Sequence, residues 1–479
     1  MQGTELDENK NPAAQRSSRP RRKKRSKMQI FKESYLPAII ALAAVVMMII
    51  FIIGSVSRGI ARRNAEKEAN IAASISEAAR LELLRDEADR LLIEAERLAE
   101  DYDYEDAIAT LESFSGSYTE FPDIADQISV YKQTLKEMVV WDDLSKIPNL
   151  AFNMLIADPA RAYTNGEYGA SYRKNFITIG EFTQILQQLY DNGYVLVNVR
   201  DLVSVTTDAG GKTVYTPKPL YLPEGKTPFI LTQTGVNYNI YMVDGDGDNL
   251  PDKDGAGFAS KLVLTSDGGF ANEMVDAHGN LSTGSYDLVP ILEDFIAKHP
   301  DFSIRGARAI LAVTGYNGVF GYRINSSAKA MFGEEAYNAD RLAANQVVDR
   351  LRAAGYDIAC YTYGQVSYTN AAAEQIKNDQ QAWLEEIVPV IGSTDMMVYF
   401  KVSDIGDTAV YTGDKYDVLS AAGYRFYFGA VDSNEPWAQI TGDYVRQNRI
   451  LVTGSGLVSN AQQFAGMFDA ASVLDPARS

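Results

Sequence analysis

The chain has 479 residues, 46% of them hydrophobic and 23% charged, which is too long for one compact domain and too apolar for a largely unfolded chain. Its formal net charge is −18, yet residues 1–34 hold 10 basic and 4 acidic side chains against 35 and 59 in the remainder; a body this acidic argues against nucleic-acid binding, which leans on phosphate neutralisation. A single cysteine, Cys360, excludes an intrachain disulfide, and its apolar setting beside Ile358 and Ala359 reads as a small buried hydrophobe rather than an activated nucleophile.

Residues 1–33 form a basic tail, rich in the run "RPRRKKRSK" (Arg19 to Lys27) and expected to be disordered on the cytoplasmic side. Residues 34–57, "SYLPAIIALAAVVMMIIFIIGSVS", carry no charge and are long enough to cross a hydrocarbon layer of about 30 Å as a helix. The positive-inside rule then places everything after residue 57 outside the cell membrane. A cleaved signal peptide is the rival reading, but its apolar core is usually shorter, and no small-x-small site follows Ile53. Residues 58–140 read as an α-helical stalk. Leu81, Leu84, Ala88, Leu91, Ala95 and Leu98 recur at helical spacing on one stripe. "DYDYEDAIATLESF" (Asp101 to Phe114) and a stretch from Ile124 to Met138 predict a following helix pair that resembles a tetratricopeptide unit. The stalk serves as a spacer, as a dimerising coiled coil, or as a surface that recruits a protein partner.

From Ile147 the texture changes to apolar runs alternating with amphipathic stretches. "IPNLAFNMLI" predicts a strand, "TIGEFTQILQQLYDNG" a helix stopped by Gly193, and "YVLVNV" and "TPFILTQ" two further strands. Helix-then-strand pairs follow: "DLVPILEDFIAKHP" and "RAILAVTG", "AANQVVDRLRAAG" and "YDIACYT", "WLEEIVPVIG" and "MMVYFKV", "KYDVLSAAG" and "YRFYFGAV". This order predicts an α/β fold for residues 145–470, a distorted and incomplete (β/α) barrel whose chemistry gathers at the C-terminal ends of its strands. One insertion stands out. "DGDGDNLPDKDG" places Asp244, Asp246, Asp248 and Asp252 at positions 1, 3, 5 and 9 of an EF-hand-like loop, with the Leu250 carbonyl at position 7. Asn249 and Gly255 replace the usual Gly and Glu of such a loop. Either it binds a structural calcium ion or it is a solvated acidic hairpin between "NYNIYMV" and "KLVLTS".

The order of phrases over about residues 145–455 resembles the polysaccharide deacetylase family (NodB homology, carbohydrate esterase family four). "FTQILQQLYDNGY" (Phe182 to Tyr194) is similar to its helix-strand phrase, "TQTGV" (Thr232 to Val236) to its "TFDDG", and "CYTYGQ" (Cys360 to Gln365) to its "SHTxxH". "YFKVSD" (Tyr399 to Asp404) and "VDSNEPW" (Val431 to Trp437) resemble later motif loops. "TGYNGVFGYR" (Thr314 to Arg323) and "GDYVRQNR" (Gly442 to Arg449) resemble a membrane-anchored branch from Gram-positive bacteria.

The resemblance implies hydrolysis of N- or O-acetyl groups on cell-wall sugars, with a divalent metal held by Asp and two His and a second Asp as base. In this chain the base position falls on Thr234, the metal Asp on Gly235, the two His on Tyr361 and Gln365, and an opening-strand His on Asn153. The chain's two histidines, His278 and His299, sit in turn-like and helix-end phrases and read as exposed loop residues. The expectation is therefore a membrane-anchored pseudoenzyme that takes no transition metal and binds cell-wall glycan or an envelope partner. A hydrolase with a rebuilt site and a scaffold acting through the stalk are the alternatives. Substrate-binding candidates are Tyr316, Asn317, Tyr322, Arg323, Tyr363, Asp404, Asp432 and Trp437, aromatic faces for sugar C–H surfaces and polar groups for hydroxyls.

Overall fold

The computed structural model describes residue 28 and residues 35–401, 403–429 and 435–478. The chain divides into two units, Met1–Arg85 and Asp86–Ser479. A continuous helix, α1 (Leu36–Glu100), supplies the described part of the first almost entirely. Its N-terminal part is long and apolar enough to cross a membrane. Side chains such as Met47, Ile50, Phe51 and Ile53 are exposed around it. The Ser55 and Ser57 hydroxyls donate to the Ile52 and Gly54 carbonyls, so these polar groups need no water.

In the second unit, the end of α1 buries Ala88, Leu91 and Ala95, the middle of the predicted stripe. Helices α2 (Tyr104–Glu112) and α3 (Pro122–Glu137) pack together through Tyr104 and Tyr131 and a Glu112–Lys132 ion pair of 2.6 Å. This is a single helix pair rather than a repeat array. It lies in the same unit as the α/β domain. The Arg305 backbone N–H donates to Asp101 O at 2.8 Å, and the Arg305 guanidinium meets Glu105 at 3.0 Å.

Ten strands form the main sheet: β1 (Asn149–Asn153), β2 (Tyr194–Leu196), β3 (Thr227–Thr234), β4 (Ile310–Val313), β5 (Asp357–Cys360), β6 (Met396–Val398), β7 (Phe426–Gly429), β8 (Ala438–Ile440), β9 (Val445–Asn448) and β10 (Ile450–Leu451). The parallel order β1-β3-β4-β5-β6-β7-β9 follows the sequence, with β2 beside β3 and β8 antiparallel to β9. One residue past β9, the chain pairs as β10 with β1, Ile450 opposite Leu150. The sheet thus curls round on itself as a (β/α) ring of seven positions instead of eight, its seam only two residues long.

Strands buried on both faces need apolar side chains on both. Ile310 and Ala312 pack with Ala359 and Val398 on one side, while Leu311 and Val313 pack with Ile358 and Cys360 on the other. Side chains two apart share a face. On the inner face Thr232 donates to Asn149 Oδ1 at 2.7 Å, and Asn149 donates to Gln447 at 3.2 Å. The same parity carries Asn153, Thr234 and Arg449 to the barrel mouth.

The helix Ile179–Asp191 has a complete capping box, Thr178 with Glu181. Cys360 is fully buried, and burial pushes its thiol up to about 12. Ile240–Val243, before the acidic loop, is a helical turn rather than one arm of a hairpin. His299 is half-buried between Tyr190 (4.3 Å) and Phe295 (4.7 Å) rather than solvent-exposed, because the helix end folds it onto aromatic rings. His278 is exposed in its turn.

Candidate functional site: a polar cavity at the barrel mouth

A cavity of about 1050 Å³ opens at the C-terminal ends of the parallel strands. Asn153, Thr234, Gly235, Tyr361 and Gln365, five positions picked out by sequence phrase alone, all line it. The Thr234 hydroxyl donates to Asn153 Oδ1 at 2.9 Å, and Asn153 Nδ2 donates to Asn175 O at 2.9 Å. Gly235 sits at φ +71°, a conformation that favours glycine, beneath the edge of the Tyr361 ring. Tyr361 is buried against Phe400, ring centroids 5.1 Å apart, and its hydroxyl accepts the Lys401 N–H at 3.0 Å.

The donor set decides what this cavity can hold. Its 24 described lining residues include no His, Cys, Asp or Glu. The residues present therefore do not fit the divalent metal that the sequence resemblance implies, whose ligands are imidazole and carboxylate. What the lining offers is amides, hydroxyls and aromatic or thioether walls: Asn153, Asn239, Gln463 and Ser455, with Phe176 and Tyr241. Asn239 Oδ1 is buried without a hydrogen-bond partner among the described residues, an acceptor suited to a ligand hydroxyl.

Arg449, between β9 and β10, lines the same cavity and is 3% exposed. Its Nη2 donates to Tyr399 O (2.8 Å) and Lys401 O (2.9 Å), while Nε and Nη1 have no hydrogen-bond partner among the described residues. Burial holds its pKa below the usual guanidinium range.

Seven of the eight proposed glycan contacts fall elsewhere. Tyr322 is buried and donates to Leu262 O at 2.9 Å. Arg323 spends its guanidinium on the carbonyls of Asn237, Asn317 and Tyr238. Asn317 accepts the Ile240 N–H at 3.2 Å, and Tyr363 donates to Glu386 at 2.6 Å. Asp404 is buried in an ion pair with Arg446, over which Trp437 stacks. Tyr316 is exposed, and none of these seven lines the barrel-mouth cavity. Arg323 instead lines a second cavity of about 680 Å³ beside the acidic loop. Asp432 lies outside the described residues.

In the acidic loop Asp244, Asp246 and Asp252 bring carboxylate oxygens within 4.8 Å of one another, without Asp248. Asp248 instead accepts the Leu250 N–H at 2.8 Å. Burial opposes charge on Asp252, but backbone N–H donors from Gly245, Asp246, Asp254 and Gly255 outweigh it and hold the carboxyl below its ordinary range.

Sequence reasoning named Arg449, Lys401, Asn239 and Tyr241 only inside longer phrases and passed over Ser455 and Gln463. The available signal was the polar run "GSGLVSNAQQ" (Gly454 to Gln463) directly after a short apolar strand.

No protein-family model and no curated protein matches the sequence. Among solved structures the chain is similar to the Streptococcus pyogenes deacetylase PplD in complex with acetate, at 14% identity and a TM-score of 0.32, covering 69% of this chain and 99% of that one. It is also similar to a de-N-acetylase from Aggregatibacter actinomycetemcomitans, at 13% identity and a TM-score of 0.32, covering 64% and 95%.

Proposed function

We propose that this chain is a membrane-anchored, polysaccharide deacetylase-like protein that binds cell-wall glycan at the barrel mouth without hydrolysing it. One observation carries the reading. The five positions at which the resembled family keeps its catalytic groups converge on one large cavity, and its described lining contains amides, hydroxyls and aromatic rings but no imidazole, thiolate or carboxylate. Amides satisfy sugar hydroxyls, and ring faces pack on sugar C–H surfaces. The basic run before the apolar segment favours an N-in orientation with the barrel outside the cell.

The full-length protein in detergent is expected to bind peptidoglycan fragments saturably and to release no acetate from them, or from acetylated chito-oligomers, with zinc, cobalt or nickel supplied. Tyr241→Ala, at a 41% exposed cavity residue, should weaken binding roughly tenfold, about 1.4 kcal/mol. Protease added outside intact spheroplasts should digest the barrel. Acetate release with stoichiometric metal would establish the rebuilt hydrolase instead. Absence of glycan binding, together with a defined protein retained through residues 59–140, would establish the scaffold.

A structural calcium ion in the acidic loop belongs to the same proposal, supported by the convergence of Asp244, Asp246 and Asp252. Calcium should raise the unfolding midpoint of the wild type, whereas Asp244→Asn with Asp246→Asn should remove that rise. Equal calcium responses in both proteins would sink the assignment.

A further inference from the structure

We infer that the barrel-mouth cavity reads an anion, the carboxylate of an acidic sugar, and that Arg449 receives it. The inference rests on the glycan-binding reading and adds the chemistry of the ligand. Arg449 is the argument's centre. A guanidinium that is 3% exposed loses most of its hydration, and a buried cation is retained only when paired or well hydrogen-bonded. Here one nitrogen, Nη2, is satisfied by the Tyr399 and Lys401 carbonyls. A purely structural brace accounts for that nitrogen and leaves Nε and Nη1 unexplained.

No carboxylate within the described residues pairs with this guanidinium. Asp404, the described acid whose charge reaches it, is held by Arg446 at 3.0 Å and by the Tyr411 hydroxyl at 2.5 Å. The Tyr361 hydroxyl lies beside Arg449 and supports its charge by hydrogen bonding, but it is no carboxylate and it already accepts the Lys401 N–H. Lys401 adds the second cation of the lining, and no described acid opposes the two. A chain of net charge −18 thus presents a cavity of positive sign, which draws an anion in and orients it. The orphan Asn239 Oδ1 at the same cavity accepts a hydroxyl donor. One anion site and one hydroxyl site in a glycan-sized space describe an acidic sugar better than a free inorganic ion.

The test compares two disaccharides on the full-length protein in detergent: N-acetylglucosaminyl-N-acetylmuramic acid, which carries a carboxylate, and neutral di-N-acetylchitobiose. The wild type is expected to bind the acid at least tenfold more tightly. Arg449→Met should erase that preference, and Arg449→Lys should restore part of it. If Arg449→Met fails to fold, the methyl ester of the acid tested on the wild type serves instead and should bind like the neutral sugar. Equal affinity of the wild type for both sugars overturns the anion inference and leaves the glycan reading standing. Binding of inorganic phosphate with no response to either sugar overturns both, and identifies a phosphate site.

Discussion

Replacing Arg478 with alanine is expected to cost about 3–5 kcal/mol of stability, the range for removing one partner of a buried ion pair. Glu181 is fully buried, and Arg478 meets it with two bonds of 2.6 Å, Nε to Oε1 and Nη2 to Oε2. The same carboxylate accepts the Thr178 and Asp475 N–H groups at 2.8 and 3.1 Å. Without the guanidinium the charge stays buried with only amide donors, which replace part of the lost interaction. Arg478 also donates to Phe176 O at 3.0 Å, and Phe176 lines the barrel-mouth cavity. Loss of the clamp should therefore lower the denaturant midpoint and weaken glycan binding together. The double variant Glu181→Gln with Arg478→Met should recover most of the stability, because no unpaired charge remains. A loss under about 1 kcal/mol, the size of a solvent-exposed pair, would mean that water reaches Glu181.

Much of the barrel was legible because its strands and helices obey simple periodicities. Runs such as "RAILAVTG" and "YDIACYT" are apolar on both faces, which a strand buried between helices and barrel interior requires. The mouth was legible in part. Asn153, Thr234, Gly235, Tyr361 and Gln365 were placed by phrase order, and all five line one cavity. The closing strand was not read, for a physical reason. β9 is "VRQN", polar yet buried throughout. Gln447 donates to the Ile147 carbonyl at 2.9 Å, and Asn448 accepts the Trp437 N–H at 2.7 Å. Hydrophobic patterning looks past a strand whose burial is bought by hydrogen bonds rather than apolar area. Arg449 was hidden with it. Tyr322, Arg323 and Asp404 show a related limit of patterning: they are polar residues near strand ends, and internal partners take polar atoms of each. Sequence position places a polar side chain near a mouth without showing whether it is free to bind.

Asp404 turns that distinction into an expected result. Its carboxylate accepts from Arg446 Nη2 at 3.0 Å, from the Tyr411 hydroxyl at 2.5 Å and from the Gly406 N–H at 3.1 Å. Burial pushes the Asp404 carboxyl above its ordinary range even with Arg446 beside it. The Arg446 side chain is fully buried, bonds the Gly406 and Ala409 carbonyls, and lies 4.1 Å from the Tyr411 ring centre. Asp404→Ala strips the counter-ion from this cation and should cost about 3–5 kcal/mol. Asp404→Asn keeps the shape and the neutral hydrogen bonds and should cost less, about 1–3 kcal/mol. Both should leave affinity for the neutral sugar within roughly twofold at temperatures where the variant is folded, because Asp404 does not line the cavity. Arg449→Met is expected to behave in the opposite way, with little change in unfolding midpoint and loss of the preference for the acidic sugar. It removes a buried charge that has no described carboxylate partner, whereas Asp404→Ala creates one. If Asp404→Ala abolished glycan binding while its unfolding midpoint stayed in place, Asp404 would be a ligand contact, and the site would extend from the barrel mouth toward Tyr411 and Arg446.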